Sequence, residues 1–248
     1  MYPEFTTNNK ISFYSKMAKK IKASDPSQAE QNVGEILSKT DKFIDKHWKQ
    51  ILIGVVAIIL IVVGAITFRH TYLLPREKNA QEAIFLGQQY YANQQWEIAL
   101  NGDSIDYIGF ESIIDDYSGT KTANLAKFYA GICQYNLGNY ETALKTIKSY
   151  SGKDILIAAQ ALAVAGDCEV NLGNPKKAID YFKKAATKAD NSVLSPMNLV
   201  KAAVVYESLE DYKSALDIYN TIKTKYPESQ EAYTIEKYIE RAKFLSNK

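Results

Sequence analysis

The chain has 248 residues, 46% hydrophobic and 23% charged, values that exclude a wholly disordered chain, a collagen-like repeat and a disulfide-dense miniprotein. A mean hydropathy of −0.26 excludes a polytopic membrane protein but leaves room for one apolar segment. The formal charge of +2 divides into +3 over residues 1–49 and −1 over residues 69–248, so neither part has the concentrated cationic face that nucleic acid needs.

Residues 1–26 mix Asn, Thr, Ser, Lys and Pro without an apolar face and predict a flexible tail. Within it Met17 opens Met-Ala-Lys-Lys-Ile-Lys, which resembles a second start. Ser27 and Glu30 then form the S-x-x-E pattern, in which a hydroxyl and a carboxylate each satisfy an N–H at the start of a helix. Behind that cap Val33, Ile36, Leu37, Phe43 and Ile44 make a narrow apolar stripe among Lys and Asp, predicting an amphipathic cytoplasmic helix over 27–49. Such a stripe suits a membrane surface or a partner, and equally a surface helix that only leads into the next segment.

From Gln50 to Phe68 the chain reads QILIGVVAIILIVVGAITF, 19 residues without a charge. As a helix this spans about 28 Å, close to the hydrocarbon thickness of a bilayer. Thirteen of the 19 are Ile, Leu, Val or Phe, each favouring insertion by roughly 0.3–0.6 kcal/mol near the helix centre, so the run predicts a transmembrane helix that anchors the chain to a lipid bilayer. It is too long, and too far into the sequence, for a cleaved signal peptide, and no small-x-small site comes after it. Trp48 and Tyr72 stand at the two expected headgroup levels. Lys39, Lys42, Lys46 and Lys49 before the run, against Arg69, Arg76 and Lys78 after it, lean toward a cytoplasmic N-terminus. Gly54, Ala57, Gly64 and Ala65 form no G-x-x-x-G face, so the segment carries no dimerisation signal.

After a short linker over 69–79 the sequence repeats itself. AGICQYNLGNYETA (130–143) returns as AGDCEVNLGNPKKA (165–178), and again as AAVVYESLEDYKSA (202–215) with Glu210 in place of the turn glycine. A weaker copy nearer the N-terminus reads LGQQYYANQQWEIA (86–99). This pattern resembles the tetratricopeptide repeat (TPR), a helix-turn-helix unit of about 34 residues that stacks into a solenoid. Gly87, Gly131, Gly166 and Ala203 share one place in the unit and Ala99, Ala143, Ala178 and Ala215 another, where small side chains let the paired helices approach. Phe182 and Tyr219 in the second helices, and Pro227 at the end of the last unit, extend the match. The pattern predicts an all-α solenoid of four units over 80–228, divided at about 80–123, 124–158, 159–195 and 196–228. The nine or so extra residues of the first unit fall within 100–109, rich in turn formers, so its second helix should break and restart near Phe110, leaving a surface insertion. From Ser229 to Leu245 a one-sided apolar helix, with Ala232, Ile235, Tyr238, Ile239, Ala242 and Leu245, reads as a cap on the open end.

No catalytic constellation, metal-ligand cluster or cofactor fingerprint accompanies the repeats, so the sequence predicts no enzyme, no cofactor and no small-molecule substrate. His47 and His70 flank the anchor, and Asp115 and Asp116 read as a diverging solvated pair. Cys133 and Cys168 occupy one slot in successive first helices, whose axes lie about 8–10 Å apart, whereas a disulfide needs Cα atoms within about 7 Å. Buried free thiols are the expectation. The absence of an Asn-x-Ser/Thr sequon mildly disfavours a eukaryotic lumenal domain.

The TPR resemblance implies a concave groove lined by the first helices. By alignment it holds Gln81, Ile84, Gln88 and Tyr91; Leu125, Phe128, Ile132 and Tyr135; Asp167 and Val170; and Met197, Val200 and Val204. Without the cations that clamp a chaperone's C-terminal carboxylate, such a groove suits extended or helical apolar polypeptide, although several of these side chains could instead pack against the cap. The order of tail, anchor and repeats, with Asn124-Leu-Ala-Lys-Phe-Tyr-Ala-Gly to Leu137-Gly-Asn-Tyr, resembles the YfgM-like proteins of the bacterial inner membrane, a likeness covering most of residues 28–245. That resemblance implies a periplasmic repeat domain, an ancillary role at the SecYEG translocon, and as partners a membrane-anchored periplasmic chaperone and exported polypeptides. Two other readings stay open: a cytosol-facing receptor for targeting sequences, and a scaffold of another envelope complex.

Overall fold

The computed structural model describes residues 26–103 and 105–247; residues 1–25, nearly all of the expected tail, lie outside them. The chain divides into two compact units, one ending at Thr67 and the other beginning at Phe68. Among the described residues all regular structure is helical.

The described part of the first unit is helix α1 (Pro26–Phe68) up to Thr67, so the stretches expected as a 27–49 surface helix and a 50–68 anchor belong to one helix. The side chains of the 27–46 stripe and of the Ser27/Glu30 cap lie outside the described residues. Every side chain from Trp48 to Phe68 is exposed, although Phe68 stacks on Tyr72 with ring centroids 5.1 Å apart. This is the one stretch among the described residues long and apolar enough to cross a membrane. Thr67, the only hydroxyl in the charge-free run, donates to the Val63 carbonyl at 2.8 Å and so satisfies its O–H within the helix.

The second unit opens with a π-helical turn at Arg69–Leu73 and continues as antiparallel helix pairs. The first pair is α2 (Leu74–Ala92) with a second helix in two pieces, α3 (Trp96–Asn101) and α4 (Gly109–Asp116). Three regular pairs come next: α5 (Lys121–Asn136) with α6 (Tyr140–Lys148), α7 (Ile155–Asn171) with α8 (Pro175–Ala189), and α9 (Leu194–Ser208) with α10 (Tyr212–Lys225). The helix starts obey local chemistry. Thr120 accepts a hydrogen bond from the Ala123 N–H, Asp154 from Leu156 and Ile157, and Asp211 from Ser214. Glu77, reaching across from α2, accepts from the Lys121 and Thr122 N–H groups at 2.7 and 3.2 Å and ties the first pair to the second.

All four pairs turn in the same way. The N–H groups of Gln95, Asn139, Asn174 and Asp211 each donate to the carbonyl five residues back, and the residue before each has positive φ. Gly138 (φ 82°) and Gly173 (φ 74°) adopt it freely, whereas Gln94 and Glu210 (φ 59° each) carry a side chain in the left-handed region.

The small residues are where the helices close on each other. Ala99, Ala143, Ala178 and Ala215 have no exposed surface. Sixteen residues after Gly131, Gly166 and Ala203 stand Ile147, Phe182 and Tyr219, each buried in the partner helix. A Cβ built on Gly131 would lie 3.1 Å from Ile147, and one on Gly166 only 2.6 Å from the Phe182 ring. Gly166 is therefore set by contact and not by backbone angle, whereas at Gly131 a shift of a few tenths of an ångström in Ile147 would admit a methyl group; each large partner buried against them contributes roughly 1.5–3 kcal/mol.

The first pair solves the same problem differently, and here the expected surface insertion needs correction. Ile105 is 86% exposed, but Tyr107 is buried, with its hydroxyl donating to the Ala99 carbonyl at 2.8 Å. A Cβ on Gly87 would collide with Tyr107 and Phe110. One carboxylate holds the loop in shape: Asp103 Oδ1 accepts from the N–H groups of Ile105, Asp106 and Tyr107, and Oδ2 from the Tyr90 hydroxyl at 2.7 Å. These bonds hold the Asp103 carboxyl well below the ordinary carboxylate range.

The C-terminal cap starts later than its apolar pattern predicts. Ser229 is buried in a turn, a short 3-10 helix occupies Ala232–Thr234, and α11 runs from Ile235 to Ser246. Its Ile235, Ile239 and Ala242 join the core of the last two pairs around Phe182, Ala203 and Tyr219. Arg241 of the cap pairs with Glu207 of α9.

Candidate polypeptide groove

First helices of successive pairs lie side by side, because their polar residues pair at the repeat distance. Gln88 of α2 donates to the Tyr129 hydroxyl of α5 at 3.2 Å, Asn171 of α7 reaches the Tyr135 hydroxyl of α5 at 3.5 Å, and Lys201 of α9 bonds both oxygens of Asp167 on α7, at 3.0 and 2.7 Å. These contacts, 34 to 41 residues apart, mark one face shared by α2, α5, α7 and α9.

The thirteen residues assigned to that face divide by depth. Gln81, Val170, Met197 and Val204 are exposed; Gln88, Tyr91, Leu125, Ile132, Tyr135, Asp167 and Val200 are half-buried. Ile84 and Phe128 are not groove surface. Ile84 sits in the core of the first two pairs and Phe128 in that of the second and third, each 5% exposed, so neither can touch a ligand without repacking. Leu125 and Val200 share their area with the core, Val200 in the cluster that includes the cap. Tyr91 is wedged edge-on between Trp96 and Tyr129, with ring centroids at 5.4 and 4.9 Å, which gives the first half of the face an aromatic wall.

Lys201 is absent from the sequence-based groove set, although its distance of 34 residues from Asp167 is the repeat length. It brings a cation into the groove, but Asp167 neutralises it and the Phe182 ring lies 5.5 Å from its ammonium. Burial raises the Asp167 carboxyl above its ordinary value, and the bond from Lys201 opposes that rise. Burial, then the Asp167 charge, also raises the Tyr135 phenol. With its cation paired, the face offers exposed apolar side chains (Val170, Met197, Val204) beside a closed ion pair and hydroxyl-bearing aromatics.

Other candidate chemistry is absent from this face. Cys133 and Cys168 are free and buried, their thiols pushed up to about 12 by burial, so neither is a nucleophile at neutral pH. Asp115 and Asp116 are exposed, their carboxylates form no ion pair among the described residues, and Arg76 of α2 donates only to the Asp116 backbone carbonyl. Among the described residues no cluster of His, Cys, Asp or Glu could hold a metal.

Three stretches match family models for the tetratricopeptide repeat: residues 125–152, 159–187 and 198–229. They coincide with the three regular helix pairs, and the pair with the broken second helix lies outside them. No curated protein matches the chain by sequence. Among solved structures it is similar to a putative kinesin light chain from Podosopora anserina with nearly identical TPR-like repeats, at 10% identity and a TM-score of 0.51, covering 69% of this chain and 88% of that one. It is also similar to a Rap protein complexed with competence and sporulation factor (18% identity, TM-score 0.49, 66% of this chain) and to a MamA protein (15%, 0.47, 69% and 88%). The chain spans only 47% of the Rap protein's length. The likeness to the putative kinesin light chain concerns the fold alone, a TPR-like solenoid.

Proposed function

We propose that this tetratricopeptide repeat protein is a membrane-anchored binder of polypeptide, with the face of α2, α5, α7 and α9 as its groove. Repeats of this kind mediate protein–protein interaction, and nothing positive points to catalysis. The observation that carries the reading is the exposed apolar row Val170, Met197 and Val204 beside an ion pair that leaves no free cation to clamp a carboxylate. A row of this kind discriminates weakly between sequences, as a receiver of many extended or helical apolar segments requires.

The finer reading rests on the YfgM-like resemblance and on the uncovered apolar stretch of α1. It places the repeats at the periplasmic face of a bacterial inner membrane, where the protein assists the SecYEG translocon together with a membrane-anchored chaperone and receives exported chains. Two measurements test it. An impermeant thiol reagent should label a cysteine placed at the exposed Ile105 only from the periplasmic side, the buried native thiols staying silent; labelling from the cytosol sinks the placement and favours a targeting-sequence receptor. Photo-crosslinkers at Val170 and Val204 should capture many nascent exported chains. A single stoichiometric adduct would instead mark a scaffold, with no client polypeptide.

A further inference from the structure

The side of α7 turned away from the groove carries a second feature. Ala158, Ala161, Leu162 and Ala165 recur at helical spacing opposite Asp167 and Val170, and with Ile147, Tyr150, Gly152 and Tyr181 they line a cleft of about 300 Å³ between α6, α7 and α8. That is the lower end of the roughly 300–1,000 Å³ usual for ligand sites, enough for one or two apolar side chains. Leu162 is also the wall between this cleft and an adjoining depression lined by Asp180, Lys183, Lys184, Thr187 and Lys188. Lys148 stands at the rim of the cleft itself.

The charge around the cleft is one-sided. Helix α8 (PKKAIDYFKKAATKA) carries five lysines and a single acid, and Lys148, Lys183, Lys184 and Lys188 are all exposed and form no ion pair among the described residues, Lys184 lying 5.8 Å from the Tyr181 ring. Lys184 and Lys188 are one turn apart on the same strip, a like-charge spacing that disfavours the helix. Some lysines elsewhere in the repeats pair across elements, Lys201 with Asp167, Lys223 with Glu236 and Lys225 with Asp190, but none of these lies at the cleft. An unpaired cationic rim around an apolar cleft is complementary to an acidic segment with an apolar anchor.

We infer that this back-face cleft docks a second polypeptide, an acidic segment whose apolar side chain enters beside Leu162 and Tyr181 while its carboxylates meet Lys148, Lys183, Lys184 and Lys188. The site is separate from the groove, so the protein can hold a client on one face and an acidic partner on the other. Lysines without arginine or a backbone N–H cradle suit mobile carboxylates better than a fixed phosphate.

The test uses the full chain in nanodiscs of neutral phosphatidylcholine and a short fluorescent peptide with a central Leu-Phe pair flanked by Glu and Asp, read by anisotropy. The triple variant K183E/K184E/K188E, at unchanged melting, should weaken binding at least about tenfold, and rising salt should weaken it in the wild type. Leu162→Glu should do the same, whereas Val204→Glu in the groove should leave it unchanged. Equal binding of a peptide with Lys in place of its acids, insensitivity to the triple variant, or loss through Val204→Glu would overturn the assignment. So would displacement of the peptide by phosphatidylglycerol in the nanodisc, which would assign the lysines to lipid.

Discussion

Gly166→Ala puts a methyl group where the Phe182 ring already lies, with Cε1 at 2.6 Å and Cδ1 at 2.8 Å from the new carbon. Carbon atoms in contact settle at about 3.5–4.0 Å, so the ring has to withdraw by about 1 Å. It has little room, being 1% exposed and packed among Ala178, Ala202, Ala203 and Tyr219. Overpacking of this kind costs about 1–3 kcal/mol, and the gain from replacing glycine by alanine inside a helix offsets about 0.5–1 kcal/mol of it. The expected net loss is about 1 kcal/mol, a fall of about 2–4 °C in the melting temperature of a unit this size. Thermal melts of the full chain in detergent, followed by near-ultraviolet circular dichroism, read it directly. Gly131→Ala, whose new carbon meets Ile147 at 3.1 Å, should be close to neutral, and Phe182→Leu should absorb part of the Gly166→Ala loss. If Gly166→Ala instead raises the melting temperature, as at an open helical position, close approach does not govern that glycine and the packing argument fails.

Two further outcomes concern features outside that contact. Glu210→Gly relieves a side chain held at φ 59° in the last tight turn and should stabilise the unit by about 0.5–1 kcal/mol in urea titrations; no gain would mean that Glu210 makes compensating contacts. Lys201→Met tests the groove ion pair through pH. Because burial raises the folded-state pKa of Asp167 above its unfolded value, its protonated form favours folding, and that contribution is lost as pH rises through the raised value. Lys201 limits the loss, so the variant should match the wild type near pH 4 and fall below it by about 1 kcal/mol near pH 7, the figure discounted for partial exposure of both groups. A deficit equal at both pH values would show that Lys201 acts through its packing on Phe182 alone.

Much of this architecture is legible in the residues. Glycine and alanine recurring at the repeat distance locate the helix–helix contacts, and the charge-free run of α1 stands out on composition alone. What escapes has physical causes. Helical periodicity assigns a side chain to a face but not to a depth, so Ile84 and Phe128 align with groove positions although their slot, three residues before the small residue, is buried even where it holds Ala163. Tyr107 escapes because it lies in an insertion rich in turn formers, where nothing in the local pattern signals that one ring turns inward; the Asp103 three-N–H turn that aims it depends on a neighbouring helix supplying Tyr90. The cap begins late because Ala232 belongs to a 3-10 turn, too tight for the face it shares with Ile235 in sequence. Lys201 was within reach, 34 residues from a carboxylate in an array of similar period, but a lysine's exposure is rarely written in its neighbours.

Tyr107 also bears on how freely the hairpins could be exchanged. In three of them the stopper facing the small residue belongs to the opposing rod at a fixed count of sixteen, whereas in the leading hairpin the place is shared by Phe110 of the restarted rod and Tyr107 of the bracket before it. Cassettes from the rear of the array are thus poor substitutes at the front, and shortening the bracket would open a void beneath Gly87. The leading end of the array is a bespoke part, and engineered extension at the other end would first have to displace α11, whose Ile235, Ile239 and Ala242 already close it.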